Sequence, residues 1–279
     1  MLIHAALAVI FGGAVGIALG LTGGGGSIFA MPMLIYGLGL APAAAVPISL
    51  VAVGMTALVG GLHSIRAKLV VWQPTLIFSL GGIAGAPLGL EAAHFVRPEW
   101  LVAGFATLAL TVGLVLWIRA RGHPEQASAI RAQRHGIDGG PICVLSPDGQ
   151  LRFSAPCALA LAVVGLGTGF LSGLLGVGGG FLIVPALVLV TRMGVHRAVA
   201  TSLLVISAIG FSGAASAVLQ GRIDWAILLP FAAGGGTAMI AARFFAGRIA
   251  GPTLQRAFAI VIVLVGLFML VDSFTQGVS

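Results

Sequence analysis

Two stretches of this chain carry residues that could do chemistry, and both are rich in glycine. Gly20-Leu21-Thr22-Gly23-Gly24-Gly25-Gly26-Ser27 lies near the start, and Gly173-Leu174-Leu175-Gly176-Val177-Gly178-Gly179-Gly180 lies beyond the middle. Successive glycines expose backbone N–H groups without side-chain obstruction. A helix beginning directly after them adds its first unpaired amides and the positive end of its dipole. Together these make an anion site that needs no lysine or arginine. Ser27 is placed to cap the first of these helices, and its hydroxyl is also within reach of a ligand oxygen. The candidate substrate ligands are therefore Thr22, Gly23, Gly24, Gly25, Gly26 and Ser27 in the first stretch, and Gly176, Gly178, Gly179 and Gly180 in the second. Ser49 and Ser202 start the next helix of each half, after Pro47 and Thr201, and join the set as hydroxyl contacts. The alternative for these two is that they bond only their own helix backbone.

Other chemistries fail on context. A phosphate-binding P-loop needs Gly-Lys-Ser/Thr after the glycines, and Ser27-Ile28 follows instead. A dinucleotide fingerprint needs a short strand before it and an acidic residue about twenty positions on, and neither is present. An enzyme site needs clustered His, Asp, Glu or Cys, which this chain does not offer, so no catalytic residue, cofactor or metal is expected. Cys143 and Cys157 support neither a disulfide framework nor a metal site and read as incidental. Glu91 is the one carboxylate within an apolar run, but it sits near the end of its helix beside His94 and Arg97 and reads as a solvated interface residue. His63, Arg66 and Lys68 read as interface anchors.

The elements that must position these glycines are membrane helices. Only 8% of the 279 residues are charged and 59% are hydrophobic, where a soluble domain carries about 25% charged residues. There is too little polar surface to coat a water-soluble globule. The net charge of +7 does not point to nucleic acid, because the basic residues sit in short gaps between apolar runs. Such runs span roughly 3–21, 45–62, 72–92, 99–117, 156–174, 198–219, 225–245 and 253–272, each near the ~20 residues that cross a bilayer. The shorter runs 27–39 and 180–191 each follow a glycine cluster. They cover about 20 Å of a ~30 Å core and are expected to be half-helices. Met1-Leu2-Ile3-His4 lacks a basic n-region, so the first run is expected to be a retained helix. The only long polar segment, 118–155, contains a small β-hairpin signal: Ile142–Leu145 and Gln150–Phe153 flank Pro147-Asp148-Gly149. It reads as a linker ornament.

The chain is also duplicated. A shift of 153 residues carries Gly12, Gly16, Gly20, Gly23, Gly25 and Gly26 onto Gly165, Gly169, Gly173, Gly176, Gly178 and Gly179 without a gap. It carries Pro32 onto Pro185, Ser49-Leu50 onto Ser202-Leu203, Trp72 onto Trp225 and Phe78 onto Phe231. Apolar composition would not hold tryptophan, proline and glycine in one register. Gly12, Gly16 and Gly20, spaced by four, are expected to be a packing face. If each short run simply continues the helix before it, the fourteen Lys and Arg divide eight to six across the membrane. If the long and short runs form a hairpin, the copies invert and the division becomes twelve to two, with Arg97 and Arg222 alone on one side. The second division satisfies the positive-inside rule. The expected fold is thus an all-α polytopic membrane protein of two inverted repeats, each a long helix plus a glycine-broken half-helix followed by three transmembrane helices. Repeats at 1–117 and 156–279 flank a cytoplasmic linker, 118–155, and both termini lie outside.

With Pro32 and Pro185 in the half-helices and Ala198-Val199-Ala200-Thr201-Ser202-Leu203 after the second, the duplicated unit resembles the TauE/SafE sulfite exporter family. The first copy keeps a degenerate form of that motif, Ala45-Val46-Pro47-Ile48-Ser49-Leu50. The resemblance implies secondary transport of sulfite or a small organosulfonate such as sulfoacetate across the cell inner membrane. The expected function is alternating-access transport of such an anion, with a proton or another ion as a coupling partner. The alternative is an anion channel or a permease for a different small anion. The lipid bilayer is the other partner, nucleic acid is not one, and a homo-oligomer stays open.

Overall fold

The computed structural model describes residues 2–122, 144–145, 151–152, 155–191, 193–221, 223–249 and 260–270. Apolar backbone in lipid has no water to bond, so each long run satisfies its amides internally as a helix. The helices are α1 (Leu2–Thr22), α2 (Gly25–Gly37), α3 (Pro42–Arg66), α4 (Trp72–Phe95) and α5 (Pro98–Gly122) in the first half. The second half has α6 (Ala155–Leu175), α7 (Gly180–Thr191), α8 (Val195–Leu219), α9 (Trp225–Ile249) and α10 (Ile260–Leu270). Among the described residues α1, α3, α4, α6, α8 and α9 are long and apolar enough to cross a membrane. In the linker, β1 (Val144–Leu145) pairs antiparallel with β2 (Leu151–Arg152), Val144 opposite Arg152. The expected Pro-Asp-Gly turn between these strands lies outside the described residues.

Both half-helices are present, but α2 is not a regular helix. It passes from a tight 3₁₀ turn (Gly25–Phe29) through one α turn (Ala30–Pro32) into a wider π turn (Met33–Gly37). Pro32 has no N–H to return to Ile28, so the regular i→i−4 ladder is interrupted there. The segment folds back along α1. Gly26 lies on the backbone of Ala18 and Leu19, and Gly37 lies against the ring of Phe11. Ser49 and Ser202 do not start their helices as expected. α3 begins at Pro42, a residue suited to the first helical position, and α8 begins at Val195, so each serine is the eighth residue of its helix.

The duplicated register reappears in the packing. α1 lies along α9 with Gly12 on Phe231, Gly16 on Gly235 and Gly20 on Met239. A shift of 153 turns those pairs into Gly165 on Phe78, Gly169 on Gly82 and Gly173 on Ala86, which are the contacts that α6 makes with α4. A methyl group at Gly12, Gly16, Gly165 or Gly169 would land on a neighbouring carbonyl oxygen, so the four-residue glycine stripe lets the helix backbones touch. Between the two pairs, α3 and α8 cross in opposite directions, with Leu50 against Gly213, Gly54 against Gly210 and Gly61 against Leu204. Large apolar residues such as Leu80 and Leu159 stand 69% and 66% exposed on the outer surface. The buried polar side chains among the described residues are all serine or threonine. That arrangement suits a chain dissolved in lipid.

Candidate anion-binding site

The first glycine break begins where Gly23 N–H closes the last turn of α1 on the Leu19 carbonyl, at 2.7 Å. Gly23 then turns the chain with φ +73°. Thr22, not Ser27, caps the helix that follows. Its Oγ1 donates to the Ala18 carbonyl at 2.6 Å and accepts from the Gly26 N–H at 3.1 Å. Because α2 already starts at Gly25, Ser27 falls inside its first turn, and its hydroxyl donates backwards to the Gly24 carbonyl at 2.9 Å.

The second break is more open. Gly176, Gly178 and Gly179 have φ of +64°, +66° and +66°, a left-handed conformation that costs any side-chain-bearing residue energy. α7 starts at Gly180, and the amides of Leu182 and Ile183 both bond the Gly179 carbonyl, at 2.9 and 3.0 Å. The amides of Gly180 and Phe181 precede them and have no carbonyl one turn back to bond.

Tertiary packing brings the two breaks together in the interior. A Cβ on Gly180 would sit 2.5 Å from the Gly24 carbonyl oxygen, and one on Gly24 would sit 2.7 Å from that of Gly180. Each break is also tied to the opposite half. Ser202 Oγ donates to the Gly23 carbonyl at 3.2 Å and to Val199 at 2.8 Å. Ser49 Oγ donates to the Gly176 carbonyl and, at 2.9 Å, to Val46. Both serines therefore bond their own helix and the partner break. Of the sequence-derived candidates, Thr22 and Gly25 are half-buried and the rest are buried. No Asp, Glu, Lys, Arg or His is buried among the described residues. An anion here would be held by neutral N–H and O–H donors alone.

Three features were not anticipated. The Val199 side chain packs against Gly23, and the backbone of Val46 lies against Gly176. Ser172 of α6 is 1% exposed and lies against Gly179, and its Oγ has no hydrogen-bond partner. The repeat register held the signal, since Ser172 takes the position that Leu19 holds in the first half. Cys157 is buried and disulfide-bonded, which corrects the reading of the cysteines as incidental. Cys143, the chain's other cysteine, lies outside the described residues. Glu91 is exposed and accepts from Gln220 Nε2 at 3.1 Å, and an apolar groove between α4 and α8, lined by Ile83, Pro87, Phe211 and Leu219, shares no residue with either break.

Residues 8–269 match the family model described as sulfite exporter TauE/SafE. The chain belongs to the TauE/SafE family. It is a multi-pass membrane transporter. A probable membrane transporter protein of Xylella fastidiosa (strain 9a5c) is 33% identical over 274 residues, covering 96% of this chain and 95% of that protein. A probable membrane transporter protein of Bacillus subtilis (strain 168), YunE, is 27% identical over 260 residues, covering 88% and 86%. No solved structure matches.

Proposed function

We propose that this TauE/SafE transporter carries a small sulfur oxyanion, sulfite or an organosulfonate such as sulfoacetate, by alternating access about the paired glycine breaks. One observation carries the reading. The breaks meet backbone to backbone at Gly24 and Gly180, and each is held by a serine of the opposite half. Irregular backbone at membrane depth is tolerated only where protein buries it or it lines a cavity. Paired glycine-interrupted segments at matching positions of two repeats mark transporter binding sites. The substrate set in this reading is Thr22, Gly23, Gly24, Gly25, Gly26, Ser27, Gly176, Gly178, Gly179, Gly180, Ser49 and Ser202.

The repeats at 1–117 and 156–279 are read as inverted about an axis in the membrane plane. The fold-back of α2 along α1 and the opposed directions of the matching helices α3 and α8 support this. The charge distribution supports a cytoplasmic 118–155 linker with both termini outside. The disulfide at Cys157 favours the opposite orientation, because cytosolic thiols are kept reduced. Fusions of a reporter to the C-terminus decide between them: activity of a periplasm-only reporter supports the first orientation, and activity of a cytoplasm-only reporter overturns it.

The substrate is tested in proteoliposomes with labelled sulfite, with and without a proton gradient, and with unlabelled sulfite, sulfoacetate or sulfate trapped inside. Uptake accelerated by one trapped anion supports a carrier. Conductive flux without such acceleration supports a channel, and no uptake under any gradient overturns the sulfur assignment. Gly179→Leu tests the site: it should abolish transport while leaving protein in the membrane, and normal transport would place the site elsewhere.

A further inference from the structure

The two breaks match in sequence register but not in polar chemistry. In the first, every hydroxyl is committed. Thr22 bonds Ala18 and the Gly26 amide, Ser27 bonds Gly24, and Ser202 bonds Gly23. The second break replaces both local hydroxyls: the register puts Leu175 where Thr22 stands and Gly180 where Ser27 stands. It therefore lacks the cap that closes the first. What it has instead is Ser172, at the position of Leu19.

Ser172 departs from the usual pattern of helix hydroxyls. Serine and threonine inside apolar helices ordinarily return their proton to a carbonyl one turn back. Thr56, Ser64, Thr75, Thr168, Thr191 and Thr237 all do so here. Ser172 Oγ is buried without any partner, and a Cβ built on Gly179 would lie 3.4 Å from it. Ser79, the other buried hydroxyl without a partner, is not among the nearest atoms of any break glycine. A donor buried against Gly179, the residue that leads into two helix-terminal amides without carbonyls one turn back, needs an acceptor, and an oxyanion offers several oxygens.

We propose that Ser172 Oγ, with the amides of Gly180 and Phe181, is the donor set that holds the oxygens of the transported oxyanion, and that the first break serves as the opposing wall through Gly24. This rests on the reading of the glycine breaks as the substrate site and assigns a ligand that the repeat pattern does not contain. The hydroxyl is fully covered in this conformation. In this proposal the anion reaches these donors only when the two halves part.

The test compares Ser172→Ala with Ser79→Ala in proteoliposomes, measuring KM and maximal rate for labelled sulfite, with thermal unfolding of each purified variant. A hydrogen bond to a charged ligand predicts a rise in KM of about tenfold to a hundredfold for Ser172→Ala. Its unfolding temperature should be no lower than that of the wild type, since the hydroxyl bonds nothing in the folded protein. Ser79→Ala should leave KM unchanged. A KM for Ser172→Ala within twofold of wild type overturns the proposal, as does an equal rise for Ser79→Ala. If Ser172→Ala transports normally while Gly179→Leu is dead, the donor assignment fails and the glycine site stands. If Gly179→Leu also transports normally, the glycine site itself fails.

Discussion

Replacing Gly179 by alanine separates a backbone effect from a site effect, because the chain contains a matched control. Gly179 and Gly221 share the same left-handed conformation, with φ of +66° and +64°. An L-residue forced into that region costs roughly 1–2 kcal/mol. Crowding adds one tight side-chain contact at Gly179 and none at Gly221. The new methyl would lie 3.3 Å from Ser172 Cβ and 3.4 Å from Ile183 Cδ1 at Gly179, and it meets nothing within 4 Å at Gly221. Both variants should therefore lose a similar ~1–2 kcal/mol, about 2–8 °C in unfolding temperature for a chain of this size. They differ in location. Gly221 lies in the exposed turn between α8 and α9, whereas a methyl at Gly179 stands beside the Ser172 hydroxyl and the first amides of α7. Displacing an anion from one hydrogen bond there costs about 1.5–3 kcal/mol, so transport efficiency should fall at least tenfold. The assay is sulfite uptake normalised to reconstituted protein, alongside thermal unfolding in detergent. Equal transport by Gly179→Ala and Gly221→Ala would refute the reasoning, since backbone strain alone would then account for both.

Gly12→Ala and Gly165→Ala push a methyl onto the Phe231 and Phe78 carbonyls. Each should cost about 1–3 kcal/mol or more by overpacking and lower the yield of folded protein, whereas Gly167→Ala, with open space around it, should fold like wild type; size-exclusion recovery after mild heating distinguishes them. Ser49→Ala and Ser202→Ala each leave a break carbonyl without its cross-half donor, at about 1–3 kcal/mol, and their unfolding temperatures should drop by similar amounts if the two halves are equivalent in this respect. Thr22→Val removes the cap on the Gly26 amide and should destabilise by about 1 kcal/mol, measurable as a lowered unfolding midpoint; an unchanged midpoint would show that the cap contributes nothing.

Much of this architecture was readable before any coordinates. Charge scarcity and run length dictate helices, because a backbone in hydrocarbon must bond to itself. The gapless register pairs the packing positions of the two halves, and Gly12–Phe231 with Gly165–Phe78 shows that register acting on contacts. The small-residue stripe was legible as a packing face because only glycine lets two helix backbones touch. Errors fell where local pattern competes with neighbours. Ser27 looks like a cap in one dimension, yet it falls inside a 3₁₀ turn and Thr22 takes the role. α3 and α8 start three residues before their apolar runs, because Pro42 and the residues after Gly194 join helices that apolarity alone does not delimit.

By itself the sequence determined a membrane-embedded, duplicated helical protein with two glycine breaks, since composition, period and register are properties of the chain in order. Only the tertiary structure decided that the breaks face one another at Gly24 and Gly180, that Ser49 and Ser202 each reach into the opposite half, and that Ser172 is left without a partner. The physical reason is distance along the chain: Ser202 and Gly23 are 179 residues apart. Whether a buried hydroxyl is satisfied depends on every backbone packed around it, which no local pattern contains.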